Sequence, residues 1–288
     1  MIATQLPVPL AVRVQLGHAA VQSVVDAVGA RALHVKGYAL DESLRWPGRV
    51  GTDVDVLVHP ADVSAVLDGL ARAGWRRQTS FETGSAFEHA ATWVHEDFGY
   101  VDVHRFYPGL GDDPVRAFDA VWAERGSTEL GGVACPVPSL DAQVLMVLLH
   151  AGRSQPSPRT QRDIAQVWEA ADPARQASVR RLVDRLGAHV GFAAAVGGLD
   201  DYRDRPDYDL WRVSLRGGTR VEEWRARMRA ARTLRARVRL VLRALLVNTD
   251  HLAAVLNREP TRAEVIGEFF RRGRRVLAEE RAARKTAS

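Results

Sequence analysis

The sequence predicts an α/β (α+β) protein, in which a small mixed β-sheet flanked by helices is followed by an all-helical C-terminal part. Up to about residue 136, apolar runs of strand length alternate with amphipathic segments of helical spacing. After Pro138, the apolar residues follow the helical period. We therefore predict two domains, an α/β domain over residues 1–136 and a helical domain over residues 137–288.

Seven elements are predicted in the first domain, in the order helix, strand, helix, strand, helix, strand, strand. Gly29 ends the first helix, and Pro47 followed by Gly48 ends the second. The last two strands are joined by the turn H-E-D-F-G. The predicted ranges are helix 12–28, strand 32–37, helix 38–46, strand 52–58, helix 60–74, strand 87–94 and strand 100–106.

Five helices are predicted in the second domain. Thr261 and Glu264 form a capping-box pattern at the start of the last one. The fourth is the longest, with apolar residues close to a 3-4 repeat and arginines along a neighbouring face. The predicted ranges are 140–150, 159–171, 177–186, 220–246 and 261–284, and the arginines are Arg225, Arg229, Arg232, Arg239 and Arg243.

The cysteine content and the lengths of the apolar runs indicate the cellular compartment of the protein. Cys135 is the single cysteine, so neither an intramolecular disulfide nor a cysteine-based zinc site can form, which fits a reducing environment. The N-terminus has no basic region ahead of a long apolar stretch, and no apolar run reaches the roughly 18 residues that span a bilayer. We expect a soluble, cytoplasmic protein with no membrane partner.

The net charge of +5 conceals an asymmetry. From Trp211 to Ser288 there are 20 basic and 8 acidic residues, a net charge of +12, whereas the first 210 residues carry 20 basic and 27 acidic residues, a net charge of −7. The basic end is interpreted either as a cationic surface for RNA phosphates, such as those of a tRNA end, or as ordinary solvated helix faces. Both interpretations stay open.

Two aspartates interrupt the apolar run G-R-V-G-T-D-V-D-V-L-V-H-P at residues 48–60. Because residues i and i+2 of a strand share a face, Asp53 and Asp55 would lie together, with Val54 and Val56 on the opposite face. Burying such charges without a partner costs on the order of several kcal/mol, and a divalent cation such as Mg²⁺ offsets that cost. The alternative is a solvated edge strand, but the apolar opposite face favours a central one.

A second acidic strand follows in G-Y-V-D-V-H-R-F, residues 99–106. Asp102 alternates with valines and would share the face of the first pair on a neighbouring strand, and His104 would share that face too. Three such carboxylates can hold two cations about 3.5–4 Å apart, an arrangement that suits in-line phosphoryl displacement. Asp102 is then a metal ligand and a candidate proton acceptor.

K-G at 36–37, R-x-x-x-D-x-D at 49–55 and V-D-V-H-R at 101–105 together resemble the nucleotidyltransferase superfamily related to DNA polymerase beta. Within it, the sequence is similar to uncharacterised bacterial nucleotidyltransferases with K-G, R-x-x-x-D-I-D and V-D-x-H motifs. The resemblance covers about residues 30–170. It implies a small mixed sheet flanked by helices, two Mg²⁺ ions (with Mn²⁺ as a substitute), and transfer of a nucleoside monophosphate from an NTP to an acceptor with release of pyrophosphate.

The resemblance also implies which residues form the site. Asp53, Asp55 and Asp102 match the catalytic carboxylates that bind the metal ions. Gly37 matches the glycine that opens a phosphate-cradling helix. Many superfamily members have Gly-Ser or Gly-Gly where this chain has Lys36-Gly37-Tyr38, and the missing serine hydroxyl removes one phosphate donor. The implied nucleotide-binding residues are Lys36, Gly37, Arg49, Thr52 and Asp163.

Three of these residues have a further interpretation. Lys36 and Arg49 bring positive charge to the polyphosphate in place of the missing hydroxyl. Asp163 either approaches the nucleotide or acceptor, as a helix in this region of related enzymes does, or interacts with its own helix dipole. His150, at the end of a predicted apolar helix, is interpreted as a core or helix-end residue.

The acceptor is left open between a small hydroxylated molecule, as in enzymes that modify aminoglycosides, and an RNA or tRNA end, as in some toxins of toxin–antitoxin systems. A regulatory protein partner is left open as well. A non-catalytic protein that holds a nucleotide or a partner in the same cleft is the alternative from another class. The chain has neither G-x-x-x-x-G-K-[ST] nor G-x-G-x-x-G, so the P-loop and Rossmann classes are excluded.

Overall fold

The computed structural model describes residues 8–84, 86–231 and 233–245, together with residues 252, 256, 258, 261–269 and 271. A five-stranded mixed sheet and a two-stranded hairpin form its β-structure. The strands are β1 (Ala32–Val35), β2 (Val54–Val58), β3 (Arg76–Arg77), β4 (Ala90–His95), β5 (Gly99–His104), β6 (Gly126–Leu130) and β7 (Val133–Val137).

Helices flank this sheet and form most of the chain after residue 138. They are α1 (Leu10–Ala27), α2 (Val63–Arg72), α3 (Phe81–Gly84), α4 (Pro114–Ala123), α5 (Leu140–Gly152), α6 (Pro158–Ile164), α7 (Pro173–Leu186), α8 (His189–Val196), α9 (Tyr208–Arg216), α10 (Arg220–Ala230) and α11 (Leu234–Leu245). A π-helical turn, Ala165–Glu169, continues α6, and residues 262–269 are helical. In the part of the chain that the structure describes, no helix combines the length and the apolarity needed to span a bilayer.

The sheet has the strand order β1-β2-β5-β4-β3, and it is mixed because β2 and β5 run parallel while the other neighbours are antiparallel. The predicted fold class is confirmed. The two central strands are rich in valine, whose β-branched side chain suits a pleated surface that is covered by other elements.

One face of the sheet packs against α1 and α2. Val54, Val56, Val101 and Val103 point to this face and are fully buried. Gly17 of α1 permits the close approach, since a Cβ atom at this position would lie 3.0 Å from Cγ2 of Val54. The alternation of the sequence therefore directs the odd-numbered positions of β2, Asp55 and Leu57, to the opposite face.

The opposite face packs against the helices after residue 138. Leu33, Val35 and Leu57 of the sheet belong to the same apolar core as residues of α5, α7, α8 and α9. The sheet is thus buried on both sides, which is why a polar group on its second face needs a specific partner. The predicted domain boundary after residue 136 falls within β7, and the division into two domains stays a prediction.

The helix predicted over residues 38–46 is wrong, because the structure has two 3₁₀ turns there, Gly37–Ala39 and Glu42–Leu44. Leu40 has extended backbone angles (φ −69°, ψ 143°), so the chain leaves the helical path after one turn. The Asp41 side chain then accepts the backbone N–H of Ser43, which starts a separate turn.

The long helix predicted over residues 220–246 is also wrong, because α10 and α11 are separate helices. Ala231 leaves the helical region with ψ at 109°. Arg232, the side chain of Arg243 and residue 246 lie outside the described residues, as does most of the predicted last helix beyond 271. The capping box at its start is confirmed: the Thr261 N–H donates to Glu264 Oε2 over 2.7 Å, and the Glu264 N–H donates to Thr261 Oγ1.

Several short elements were not predicted from the sequence: β3, the hairpin of β6 and β7, and the helices α3, α4, α8 and α9. The hairpin carries a recognisable signal, since Gly131 and Gly132, both with positive φ, form its two-residue turn. Helix α4 carries one too, since Asp113 caps it and Pro114 is its first residue. β3 and α3 are too short for an apolar period to develop. Helix α8 is almost entirely apolar and so shows no such period, whereas α9 has a clear apolar face that is an available signal.

Candidate active site

A row of four residues crosses the sheet at one level. Asp55 of β2 lies in register with Val35 of β1 on one side and with Asp102 of β5 on the other, and Asp102 is in register with Thr92 of β4. Residues in register on neighbouring strands project from the same face. The two carboxylates therefore lie side by side on the sheet face that packs against the helices after residue 138. The alternation of the two acidic strands predicts this arrangement.

Asp55 is almost fully buried and is held by two donors. Lys36 Nζ lies 2.6 Å from Asp55 Oδ1, and His104 Nε2 lies 2.8 Å from the same oxygen. Burial alone would raise the pKa of Asp55, but the Lys36 ammonium and the hydrogen bond from His104 outweigh it and hold that pKa far below its ordinary value. Asp55 is thus an ionised carboxylate at the centre of the sheet.

Asp102 has the opposite electrostatic environment. Burial and the neighbouring negative charge of Asp55 raise its pKa from 3.8 to about 6, although Thr92 Oγ1 donates a hydrogen bond to Asp102 Oδ1 over 2.7 Å. Two carboxylates in one site repel each other, and the one without a cation of its own takes up a proton more readily. Asp102 can therefore exchange a proton near neutral pH.

Asp53 lies one residue before β2 and outside the strand itself. It is less enclosed than Asp55, and Thr52 Oγ1 donates to its Oδ1 over 3.2 Å. Burial and then the charge of Asp55 raise the pKa of Asp53, while the Lys36 and Arg159 cations lower it. The three carboxylates consequently form one electrostatic group, with Asp53 at its more open end.

The donor set suits a divalent cation. Atoms of Asp55, Asp102 and His104 that can bind a metal all lie within 4.8 Å of one another. Nε2 of His104 is engaged with Asp55, so the carboxylates are the groups that remain available to bind a metal ion. Among the described residues, none donates a hydrogen bond to the Oδ2 atoms of Asp53, Asp55 and Asp102. Unsatisfied carboxylate oxygens are the ligands that Mg²⁺ prefers.

The turn after β1 brings Lys36 to this site. Lys36 and Gly37 both have positive φ, 61° and 48°, and the lysine side chain returns along the sheet to Asp55. A left-handed conformation costs a non-glycine residue about 1–3 kcal/mol, which the buried ion pair offsets. Gly37 opens a three-residue 3₁₀ turn instead of the expected helix, so no helix dipole lies behind it.

Arg49 and Asp163, both predicted to bind the nucleotide, form an ion pair with each other. Arg49 Nε lies 2.7 Å from Asp163 Oδ1, Nη2 lies 3.3 Å from Oδ2, and both side chains are 5% exposed. Trp46 Nε1 donates a further hydrogen bond of 2.8 Å to the same carboxylate. Asp163 is the sixth residue of α6, beyond the first turn, where a carboxylate interacts little with the dipole of its own helix.

Two polar residues near the carboxylates, Thr92 and Arg153, were not predicted from the sequence. Thr92 is invisible without knowledge of the β4–β5 register, because a lone threonine in a strand is common. Arg153 contacts His89 and His150. The spacing of His150 and Arg153, one helical turn apart, was the available signal, but nothing in the sequence places His89 beside them.

The chain was compared with known proteins. The model of a protein family described as uncharacterised nucleotidyltransferase matches residues 18–197. No curated protein sequence matches the chain significantly. Solved structures with a similar fold include the lincosamide antibiotic adenylyltransferase LnuA bound to lincomycin, with 17% identity, 54% of this chain and 97% of the other covered, and a TM-score of 0.38.

Two further structures show a similar likeness. The antibiotic-resistance factor ANT(2'')-Ia has 13% identity, 61% and 95% coverage and a TM-score of 0.40. An antigenic nucleotidyltransferase-like protein from Paracoccidioides brasiliensis has 15% identity, 65% and 95% coverage and a TM-score of 0.39. At these TM-scores, below 0.5, the likeness has no bearing on substrate or mechanism. The family model covers more than half of the chain, and the protein therefore belongs to this family of uncharacterised nucleotidyltransferases, which are enzymes of the transferase class.

Proposed function

We propose that the protein is a Mg²⁺-dependent nucleotidyltransferase that moves a nucleoside monophosphate from an NTP to a hydroxyl group of an acceptor. The observation that carries the proposal is the in-register pair of Asp55 and Asp102 on parallel neighbouring strands, with Asp53 at its open end. The single cysteine, Cys135, favours the reducing cytoplasm, where NTPs are abundant, as its compartment.

In the proposed reaction, Asp102 accepts the proton of the acceptor hydroxyl. The hydroxyl oxygen forms a bond to the α-phosphorus of the NTP. The bond from that phosphorus to the bridging oxygen breaks, and its electron pair leaves with pyrophosphate. In the metal-free protein the pKa of Asp102 is raised to about 6, which supports this role, because a proton acceptor works best when its pKa is close to the working pH.

Asp53, Asp55 and Asp102 are the residues we assign to two Mg²⁺ ions, for which Mn²⁺ is a substitute. The bound ions would neutralise the polyphosphate and lower the pKa of the attacking hydroxyl. Lys36 and His104 keep Asp55 ionised and fix its orientation, so that a ligand oxygen is available without a proton being removed first. Residues that hydrogen-bond to metal ligands orient those ligands and influence the affinity of the site for the metal.

For the nucleotide we assign Lys36, Gly37 and Thr52, which lie directly beside the carboxylates. Backbone N–H groups of the turn at Gly37, the Lys36 ammonium and the Thr52 hydroxyl are donors of the kind that phosphate oxygens accept. Arg49 and Asp163 stay proposed nucleotide-binding residues as well. Their mutual ion pair supports an indirect role, in which Arg49 fixes the segment that leads into β2.

The charge distribution of the molecule supports two alternative acceptors. The excess of basic residues after Trp211 favours RNA, including a tRNA end and hence the chemistry of some toxin–antitoxin toxins. The acidic first 210 residues favour a cationic small molecule with hydroxyl groups. A regulatory protein partner is compatible with either, and the experiment below separates the two acceptors.

The test is a transfer assay with each of the four NTPs, labelled on the α-phosphate, and with Mg²⁺ or Mn²⁺. Total RNA serves as acceptor in one arm and a panel of aminoglycosides and other hydroxylated metabolites in the other. We expect label to enter one of the two, and pyrophosphate to appear in equal amount. Label in the tRNA band assigns RNA, and label on a small molecule assigns the second class.

The variants Asp53→Ala, Asp55→Ala and Asp102→Ala are expected to lose transfer while they keep the circular dichroism of the wild type. Asp68→Ala, an exposed aspartate of α2, is the matched control and keeps full activity. If transfer survives Asp55→Ala, the catalytic assignment fails. If the wild type shows a Mn²⁺-dependent thermal shift with NTPs but no turnover with any acceptor, the non-catalytic nucleotide-binding alternative replaces the proposal.

A further inference from the structure

A cationic side chain lies beside the carboxylate site and takes no part in the assignments above. Arg153 directly follows α5, and its guanidinium donates to Nε2 of His89 and to Nδ1 of His150, the latter over 3.3 Å. The guanidinium also lies over the ring of Tyr107, 5.2 Å from the ring centre. Arg153 is partly buried, and a guanidinium carries five N–H donors, more than these contacts use.

The partners of Arg153 are neutral. Burial and then the charge of Arg153 hold the pKa of His89 far below its ordinary value, and burial and then the Lys36 charge do the same for His150. Neutral imidazoles accept hydrogen bonds without cancelling the charge of the donor. Within the described residues, no carboxylate forms an ion pair with Arg153.

This sets Arg153 apart from Lys36 and Arg49, the two cations whose ion pairs are buried in this region. Lys36 is paired with Asp55, and Arg49 is paired with Asp163. Drawing a guanidinium out of water without a counter-ion is energetically unfavourable. An arrangement of this kind is retained where an anionic ligand supplies the missing charge, as catalytic and binding sites do.

The position of Arg153 identifies the ligand. His89, which accepts from the guanidinium, has its ring centre 5.1 Å from that of His104, and His104 Nε2 lies 2.8 Å from Asp55 Oδ1. Burial lowers the pKa of Arg153, and the charges of Asp55 and Asp102 oppose that effect. A group bound between Arg153 and metal ions on those carboxylates must itself carry several negative charges. The polyphosphate of an NTP has that charge, and a planar guanidinium binds two phosphate oxygens at once.

We propose that Arg153 is a phosphate-binding residue, oriented by His89 and His150, which holds the β- and γ-phosphates of the NTP. This inference rests on the proposed function, because it takes the nucleotide to bind at Asp53, Asp55 and Asp102. The same contact stabilises pyrophosphate as it leaves. The positive charge is thus placed opposite the acceptor side of the α-phosphorus, where negative charge develops during transfer.

The test measures binding of inorganic tripolyphosphate, which has no nucleoside, by isothermal titration calorimetry at fixed Mg²⁺ concentration. Arg153→Gln is expected to weaken binding at least tenfold, because it removes the charge and the fork of donors. Arg153→Lys keeps the charge but not the fork, so we expect an intermediate affinity. Arg180→Gln is the control: it removes an exposed guanidinium that lies over Trp168, and it leaves the affinity unchanged.

A transfer assay on the same variants separates this inference from the proposed function. Arg153→Gln should raise the KM for the NTP more than it lowers kcat, and the KM for the acceptor should stay the same. If the wild type transfers nucleotide and Arg153→Gln binds tripolyphosphate as the wild type does, Arg153 is structural and the inference fails alone. If the wild type binds tripolyphosphate through Arg153 but transfers nothing, the anion site stands and the proposed function fails.

Two further outcomes count against the inference. A wild type that shows no affinity for tripolyphosphate overturns it outright. Unfolding midpoints are recorded for each variant, and if Arg153→Gln does not fold, the comparison of Arg153→Lys with the wild type decides: equal affinities would mean that the guanidinium fork does not bind phosphate.

Discussion

Asp55 and Asp102 are chemically identical side chains at the same level of the sheet, yet their pKa values are driven in opposite directions. Asp55 has an ammonium and an imidazole N–H on one oxygen, whereas Asp102 has a single hydroxyl donor. The first carboxylate is therefore fixed as an anion, and it pushes the proton affinity of the second upward. One residue is suited to hold a cation and the other to exchange a proton.

This difference predicts a trade between stability and function at Asp102. Folding raises its pKa from 3.8 to about 6, so its contribution to stability is complete below the unfolded pKa and is lost as the pH rises through 6. Asp102→Asn removes the charge but keeps an oxygen for Thr92. Without metal, we expect the variant to unfold with about 2 kcal/mol more free energy than the wild type at pH 7.5.

At pH 4 the advantage of Asp102→Asn should shrink below about 1 kcal/mol, because the wild-type carboxyl is then largely protonated when folded. Urea unfolding at the two pH values in the presence of EDTA measures both numbers. A variant that is less stable than the wild type at pH 7.5 would show that Asp102 is not under electrostatic strain.

The ion pair of Lys36 and Asp55 predicts a coupled pair of variants. Lys36→Met leaves Asp55 buried without its cation, which costs about 3 kcal/mol when one member of a buried pair is removed. Asp55→Asn alone and the double variant complete a mutant cycle. The double variant should be less destabilised than the two single losses together, by on the order of 2 kcal/mol. Additive losses in urea unfolding would mean that the pair contributes no interaction energy.

At the scale of elements, two turns that enter the site pass close together. A Cβ atom at Gly51, just before β2, would lie 3.1 Å from the Cα of Gly37, just after β1, and 3.2 Å from Cδ2 of Tyr38. Backbone cannot give way as a flexible side-chain end can. The chain therefore needs glycine at Gly51, and the contact fixes Lys36 and Asp53 on either side of it.

Gly51→Ala is accordingly expected to separate the two turns, with a loss of about 1–3 kcal/mol in stability, as for overpacking of a tight contact. Transfer activity should fall further than this loss explains, because Lys36 and Asp53 move apart. Gly126→Ala in β6 is the control, since its nearest neighbour would be 3.9 Å away. Equal behaviour of the two alanine variants in unfolding and transfer assays would contradict this account.

The elements that carry the site could be predicted because they rest on local rules. The period of two in β2 and β5 places Asp55 and Asp102 on one face from the sequence alone. The turn at Gly37 could not be predicted, because Tyr38 to Trp46 has a plausible helical pattern and the extended Leu40 that breaks it depends on packing. Thr92 and Arg153 depend on which strand and which helix lie next to the carboxylates, and a single sequence does not encode that openly.

At the scale of the molecule, the segment between β1 and β2 is attached to the helices. Asp41 N donates to Gln143 of α5 over 2.7 Å, and Gln166 donates to the carbonyl of Ser43 over 2.9 Å. Arg159 donates to the carbonyl of Val50 over 3.2 Å. These contacts tie the residues that precede the first aspartate to α5, to α6 and to the π-helical turn, so the carboxylate site is built against the helical part of the chain.

The ion pair of Arg49 and Asp163 is the strongest of these attachments, and it predicts what Asp163 does. Both side chains are buried, and the carboxylate accepts from Arg49 twice and from Trp46 once. Asp163→Asn should therefore cost about 3 kcal/mol of unfolding free energy, since Arg49 loses its counter-ion. Trp46→Phe removes one hydrogen bond and should cost about 1 kcal/mol.

Tripolyphosphate affinity distinguishes this attachment from direct contact with the nucleotide. If Asp163 holds the segment, stability falls in Asp163→Asn, and the residual affinity of the folded fraction stays within about threefold of the wild type, because no ligand contact is lost. A carboxylate in contact with polyphosphate would repel it, so its removal would instead raise the affinity without a loss of stability. Urea unfolding and calorimetry on the same samples measure both quantities. That second pattern would mean that Asp163, together with its ion-pair partner Arg49, lies at the nucleotide.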